Sequence, residues 1–142
     1  MKPVSELLRS RTGTLWHVRP DDSVFTALQL LAQHEVGALV VMDRDRLVGI
    51  VSERDYTRKV ALQGRNSRDT PVAEIMTAQV LTVTPATTTR ACMALMSEKK
   101  IRHLPVVDGA TVLGMISIRD IMDDIIADHE TTIAQLENYI RS

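Results

Sequence analysis

One polar motif occurs twice in the chain, and its residue types suit a phosphorylated ligand. The pattern Gly-x-x-Ser-x-Arg-Asp spans residues 49–55 and 114–120. Each copy lies where a predicted strand ends and a predicted helix begins, which offers a phosphate free N–H groups and the positive end of a helix dipole. The serine and arginine add donors for phosphate oxygens, and the aspartate can accept from ribose hydroxyls. The motif predicts two nucleotide sites, formed by Ser52, Arg54 and Asp55 and by Ser117, Arg119 and Asp120.

A second interpretation of the motif needs no ligand. Serine at a helix start with an acid three residues on is close to a capping box, in which each side chain binds the other residue's backbone N–H. A cap accounts for the serine and the aspartate, but not for an arginine between them in both copies. Both interpretations stay open. If a ligand is bound, Gly49 and Gly114 would let the strand backbone approach it closely.

The motif belongs to a longer internal repeat. Residues 18–56 align without a gap on residues 83–121, at an offset of 65, with ten identities in 39 positions. Ordinary residue frequencies would give roughly two identities by chance. The chain therefore contains a duplication, and the elements of one copy predict those of the other.

Each copy predicts a β-α-β-β-α unit. A short extended segment ends at a proline, and a helix follows it with Ser23 or Thr88 as the N-cap. The helix has a buried stripe at i, i+3, i+4, i+7 spacing, which places the chain's single cysteine, Cys92, in the core. Two strands and a second helix complete each unit, and the predicted strands are Ala38–Asp43, Leu47–Val51, Leu104–Asp108 and Val112–Ile116.

The fold class is α/β, with the two units packed as one pseudo-twofold domain, because a single unit would leave a sheet face uncovered. The predicted divisions are an N-terminal segment at 1–13, repeat 1 at 14–62, an exposed linker at 63–71, repeat 2 at 72–127 and a helical tail at 128–142. The tail carries a near-heptad series: Met122, Ile126, His129, Ile133, Leu136 and Ile140. We expect a break or kink near Thr131 and Thr132, and the tail either folds back on the domain or mediates self-association.

Composition argues against several classes of function. A net charge of −1 and 3% aromatic residues give no basis for binding nucleic acid or an anionic membrane. No apolar run approaches the length of a membrane span and no signal core is present, so we expect a cytoplasmic protein. The four histidines lack metal-ligand spacing, and no nucleophile elbow or P-loop is present. We therefore expect no metal and no enzymatic activity.

The duplicated unit, the twin motif and the segment Ile101–Asp108 resemble a tandem pair of CBS (cystathionine β-synthase) domains over about residues 5–127. The resemblance implies two related pockets for adenosyl ligands such as AMP, ADP, ATP, S-adenosylmethionine or NAD. It places ribose on Asp55 and Asp120 and phosphate near the serines and arginines. It also adds Thr84, Arg102 and His103 to the ligand-binding set. Copy one has Gly37 and Ala38 where copy two has Arg102 and His103, so the two sites are expected to be unequal.

Two hypotheses follow for the whole chain. In the first, it is a non-catalytic nucleotide sensor that forms a homodimer and signals in trans to an unidentified protein partner. In the second, it is a constitutive assembly module, and its serine–aspartate motifs are only helix caps.

Overall fold

The strands form two small sheets whose pairing repeats at the 65-residue offset. The computed structural model describes residues 2–9 and 15–141. Its elements are α1 Val4–Arg9, β1 His17–Val18, α2 Val24–His34, β2 Ala38–Asp43, β3 Arg46–Ser52, α3 Glu53–Tyr56, α4 Thr89–Lys99, β4 His103–Asp108, β5 Thr111–Ser117 and α5 Ile118–Arg141, with a π turn at Thr57–Ala61 and a 3-10 turn at Val72–Glu74. In the first sheet β1 pairs in parallel with β2, and β2 in antiparallel with β3; in the second, β4 pairs in antiparallel with β5.

The register of the two sheets confirms the duplication. Val41 lies opposite Gly49, and Val106 lies opposite Gly114, with the same irregularity one residue further on. The parallel pairing of β1 is reduced in the second copy to one bridge between Val83 and Val106. The predicted strands are confirmed. β2 has the predicted bounds, and β3, β4 and β5 each extend one residue beyond the prediction at one or both ends.

Both long helices of the repeats begin as the sequence predicts. The Ser23 hydroxyl accepts from the backbone of Thr26 at 3.1 Å, and the Thr88 hydroxyl accepts from Ala91 at 3.1 Å. Each cap satisfies one of the donors that a helix start leaves unpaired. The cysteine is also where the pattern puts it: Cys92 is buried, and burial raises the pKa of its thiol.

Two short segments cross between the repeats. The first crossing segment, residues 3–8, packs on the second copy, where Val4 and Leu7 enter the core and the Val4 N–H donates to Thr87 O at 2.8 Å. The second crossing segment, residues 71–76, packs on the first copy. There Val72 donates to Asp22 O at 2.8 Å. Each half of the fold is thus completed by residues that precede the other half in sequence.

The crossing segments account for the glycines of the twin motif. A Cβ on Gly49 would lie 2.6 Å from Met76 Sδ and 3.0 Å from Thr77 O, and a Cβ on Gly114 would lie 3.0 Å from Leu8 Cδ2. The interpretation that these glycines make room for a ligand was therefore wrong. They make room for Met76, the Thr77 carbonyl and Leu8.

We expect Gly49→Ala to lower the free energy of unfolding by about 1–3 kcal/mol, because the new methyl meets a backbone carbonyl that cannot rotate away. Gly114→Ala is the matched control. Its methyl meets only the end of a leucine side chain, so its effect stays within about 1 kcal/mol. Urea unfolding of both variants tests the difference, and equal losses would contradict this account of Gly49.

The tail differs from the expectation of a break or a fold-back. Helix α5 is continuous over 24 residues. Thr131 and Thr132 do not interrupt it, and their hydroxyls donate to the carbonyls of Ala127 and Asp128, both at 3.0 Å. Ile133 and Leu136 are exposed rather than packed on the domain.

The linker is exposed over most of its length, as predicted, but it is also tied to helix α2. The backbone of Phe25 donates to Ser67 O at 3.0 Å, and Thr70 is buried. The guanidinium of Arg68 lies 4.2 Å from the centre of the Phe25 ring. The linker therefore serves as a cover for the start of α2 and not only as a connection.

Candidate functional site

The motif of the first copy forms a complete capping box at the start of α3. Asp55 N–H donates to Ser52 Oγ at 3.1 Å, and Ser52 N–H donates to Asp55 Oδ2 at 2.9 Å. The Ser52 hydroxyl also donates to the same carboxylate oxygen, at 3.0 Å. The capping interpretation of Ser52 and Asp55 is therefore confirmed, and it leaves the arginine unexplained, as the sequence indicated.

The second copy repeats the box at the start of α5. Asp120 N–H donates to Ser117 Oγ at 3.1 Å, and Ser117 N–H donates to Asp120 Oδ2 at 2.7 Å. Both aspartates are only partly buried.

The sheet places each motif beside the start of its own copy's first long strand. Ala38 lies opposite Ser52, and His103 lies opposite Ser117. The contact extends one residue further in both copies, since Glu53 N–H donates to Gly37 O at 3.1 Å and Ile118 N–H donates to Arg102 O at 2.9 Å. The structure therefore brings Arg102 and His103 next to the serine and aspartate of the second motif.

The two strand starts also meet each other. A Cβ on Gly37 would lie 3.3 Å from His103 Cε1 and 3.4 Å from its Nε2. The sequence showed Gly37 only as a departure from the pattern of copy two. The structure gives the departure a physical reason, because a side chain at Gly37 would crowd the imidazole of the other repeat.

The His103 imidazole favours its neutral form. Partial burial against the first repeat is the largest cause and lowers its pKa below the ordinary value of 6.5. Asp120 opposes this shift and Arg102 adds to it.

We expect the fold to lose stability as the pH falls below about 6.5, because the unfolded chain then binds a proton on His103 that the folded chain resists. The contribution is fully present above the unfolded pKa and decreases on acidification. His103→Gln removes it, so the variant's melting temperature should fall less between pH 7.5 and pH 5 than that of the wild type. Parallel pH profiles for the two proteins would contradict the assignment.

The arginine and the acid of the first motif have partners that sequence reasoning missed. Arg54 Nη1 donates to Lys100 O at 3.2 Å, which links α3 of the first repeat to the residue after α4 of the second. Lys59 Nζ lies 3.2 Å from Asp55 Oδ1 and donates to Ile75 O at 2.8 Å. The i+4 spacing of Asp55 and Lys59 was a signal for this pair. The matching position in the second copy is Asp124, so that motif has no such lysine.

The remaining predicted site residues lie near the surface. Arg102 and Arg119 are exposed. Thr84 is also exposed, and its hydroxyl lies 3.2 Å from Thr87 Oγ1 in a local turn. Thr84 follows Val83, the residue that bridges to β4, so it adjoins the second sheet.

A cavity between α1, α4 and α5 has no motif residue in its walls. It holds about 450 Å³ and its walls include Lys2, Glu6, Thr89, Asp124 and Asp128. Lys2 Nζ binds the carboxylates of Asp124 at 2.9 Å and of Asp128 at 3.1 Å. Three acids against one lysine make this cavity unsuited to a phosphate, and its lysine serves to hold the N-terminal segment against α5.

Within residues 2–9 and 15–141, no group of three histidine, cysteine or acidic side chains could hold a metal ion. In the same part of the chain, no helix is both long enough and apolar enough to cross a membrane.

Comparison with known proteins identifies both halves of the chain. The family model described as "CBS domain" matches residues 4–62 and 72–127. The mitochondrial CBS domain-containing protein CBSX3 of Arabidopsis thaliana is 37% identical over 97% of this chain and 71% of its own length. A solved CBS-domain protein of Burkholderia ambifaria is 47% identical with a TM-score of 0.86, covering 89% of this chain and 96% of that one. A hexameric CBS-CP12 protein from bloom-forming cyanobacteria is 28% identical with a TM-score of 0.76, covering 94% and 86%.

Proposed function

The chain belongs to the CBS domain family, with two repeats in tandem, and we propose from that premise that it is a non-catalytic regulatory module that binds an adenosyl nucleotide. AMP, ADP and ATP are the favoured ligands, and NAD is a further candidate. The observation that carries the proposal is the pairing of each capped Ser–Asp motif with the start of its neighbouring strand, repeated at a 65-residue offset. A helix cap alone requires neither an arginine in both copies nor the position of the motif beside the start of the neighbouring strand.

In the proposed sites the aspartates accept from ribose hydroxyls, and the serines, the helix N–H groups and the arginines approach the phosphates. Adenine preference is an expectation from family membership and not from the chemistry of these side chains. Ser52, Arg54 and Asp55 form the first site. Ser117, Arg119 and Asp120 form the second, together with Arg102, His103 and Thr84.

We propose that the second site binds the nucleotide more tightly. It has an arginine and a histidine at its strand start where the first site has Gly37 and Ala38. Positive charge near the second strand start favours an anionic ligand there.

The proposed output is a change in how the two repeats contact each other. Arg54 is exposed, and its bond to the Lys100 carbonyl joins the repeats beside the first motif. A phosphate that recruits this guanidinium would release that bond, because a charged acceptor is stronger than a neutral carbonyl. The resulting shift between two arrangements of the repeats would then alter a surface that a partner protein recognises in trans.

Calorimetric titration with AMP, ADP, ATP and NAD tests the function. Adenosine and GMP serve as controls for the phosphate and for the base. Saturable binding that requires phosphate supports the proposal. Absence of heat and of any thermal shift with all adenosyl ligands at millimolar concentration would exclude it and favour an assembly module whose motifs are only caps.

A further inference from the structure

The cavity between α1, α4 and α5 lies at a corner that both repeats contain. The backbone N–H of Thr89 donates to Lys2 O at 2.8 Å, and in the first copy the N–H of Val24 donates to Thr70 O at the same distance. In the first copy the linker covers this corner, and Thr70 is buried. In the second copy the corner holds the cavity of about 450 Å³.

One wall of this cavity carries a buried polar side chain. Thr89 is only 2% exposed, and the equivalent residue of the first copy is the apolar Val24. Within residues 2–9 and 15–141, the Thr89 hydroxyl makes no hydrogen bond. No side-chain oxygen in that part of the chain is both sealed from solvent and unpartnered, so this hydroxyl opens into the cavity that Thr89 lines. Because threonine in place of a buried valine costs stability unless its hydroxyl is hydrogen-bonded, the hydroxyl offers a position to a ligand.

The charged walls of the cavity favour a cationic ligand. Three carboxylates, those of Glu6, Asp124 and Asp128, face one base, Lys2, which leaves a net charge of −2. Lys2 Nζ binds one oxygen of each aspartate, and the hydrogen bond to Asp124, followed by that to Asp128, raises the pKa of Lys2. Glu6 makes no ion pair with any residue that the structure describes. The negative potential of these walls attracts a cation and repels an anion.

The arrangement of the walls indicates the form of the cation. The negative charge comes from two elements, because Glu6 belongs to α1 and the two aspartates lie one turn apart on α5. A bare metal ion is not suited, since no three histidine, cysteine or acidic side chains of the described residues could hold one. A methylene chain with several ammonium groups suits both features, because its charges pair with carboxylates and its stem contacts the walls of Pro3 and Ile125. The volume is within the range of small-molecule sites.

We propose that this cavity binds a linear aliphatic polyamine. One ammonium group pairs with Glu6, and another pairs with the second oxygens of Asp124 and Asp128, beside Lys2. The Thr89 hydroxyl accepts a hydrogen bond from a ligand N–H. The bound polyamine strengthens the attachment of α1 to α5 that Lys2 begins. The site shares no residue with the two motifs, so this proposal and the nucleotide proposal fail separately.

Calorimetric titration of the full chain with spermidine at low salt tests the site. The titration is done without nucleotide, whose phosphates would themselves bind spermidine. We expect saturable binding of one spermidine per chain. Butylamine, which carries one ammonium group, and Mg²⁺ at matched ionic strength are the controls. Each should bind about tenfold more weakly or not at all, because neither reaches both sources of negative charge.

A matched pair of variants locates the binding. Glu6→Gln should weaken spermidine binding by about threefold to tenfold. Glu74→Gln should leave it unchanged, because Glu74 is the equivalent acid of the first copy and is paired with Arg65. Thr89→Val should also weaken binding without lowering the melting temperature, since it restores the apolar residue of the first copy and removes a buried hydroxyl. No saturable binding at millimolar spermidine, equal affinity for Mg²⁺, or equal effects of Glu6→Gln and Glu74→Gln would each overturn the proposal.

Discussion

Asp120→Asn weakens the binding of AMP or ATP by roughly tenfold to a hundredfold and leaves the melting temperature nearly unchanged. A hydrogen bond to a charged group contributes about 1.5–3 kcal/mol, and the amide offers one acceptor oxygen where the carboxylate offers two to the ribose diol. The amide oxygen can still accept from Ser117 N–H, so the capping box of α5 largely persists. Calorimetric titration and thermal melting of the same preparation provide both measurements.

Asp55→Asn is the matched variant in the first copy. We expect a smaller effect on nucleotide affinity, because the first site has Gly37 and Ala38 where the second has Arg102 and His103. The two hypotheses for the chain separate on this comparison. If the motifs are only caps, both substitutions change stability by similar small amounts and neither changes any ligand titration. Unchanged affinity in Asp120→Asn would remove the ribose role from that residue.

Ile75→Ala lowers the free energy of unfolding by about 2–5 kcal/mol and the melting temperature by about 10 °C. Ile75 lies in the second crossing segment and is fully buried in the core of the first repeat. Truncating it leaves a cavity at the point where the chain joins the two halves. Thermal melting and urea unfolding measure the loss.

Leu62→Ala is the control for Ile75→Ala, because it is also a large-to-small change but at a residue that is 74% exposed. We expect it to change stability by less than about 0.5 kcal/mol. Leu7→Ala, in the first crossing segment, should resemble Ile75→Ala, since Leu7 enters the core of the second repeat. A stable Ile75→Ala protein would contradict the crossed packing of the repeats.

The duplicated elements could be predicted because the repeat supplied each of them twice. Three local signals place a helix start at Ser23 and again at Thr88: the hydrophobic period, the proline that ends the extended segment, and the serine or threonine before the helix. The structure confirms both caps. The capping geometry of Ser52 and Asp55 was also available from spacing alone. Membership of the CBS domain family, first indicated by resemblance, is confirmed.

The crossing segments could not be placed from the 65-residue register, because they repeat at a different offset. Pro3-Val4-x-Glu6 matches Pro71-Val72-x-Glu74 at an offset of 68, so an alignment without gaps separates them from the units that they complete. This second register is visible in the sequence itself. For the same reason, the 65-residue register does not show that Gly49 and Gly114 lie against the crossing segments.

Contacts between the repeats were not predictable for a different reason. Arg54 reaches Lys100 O, and His103 packs beside Gly37, across a boundary that local patterns do not describe. Helix α5 shows a related limit. The heptad spacing predicted an apolar series along the helix, but only the packing of the domain shows which side of the helix stays exposed.

Native mass spectrometry of the freshly purified protein tests the central claim most directly. We predict that the wild type carries an added mass equal to AMP, ADP, ATP or NAD, and that the Asp55→Asn and Asp120→Asn double variant, folded to the same extent, does not. A wild type that carries no nucleotide and gains none when adenine nucleotides are added at millimolar concentration would contradict the claim.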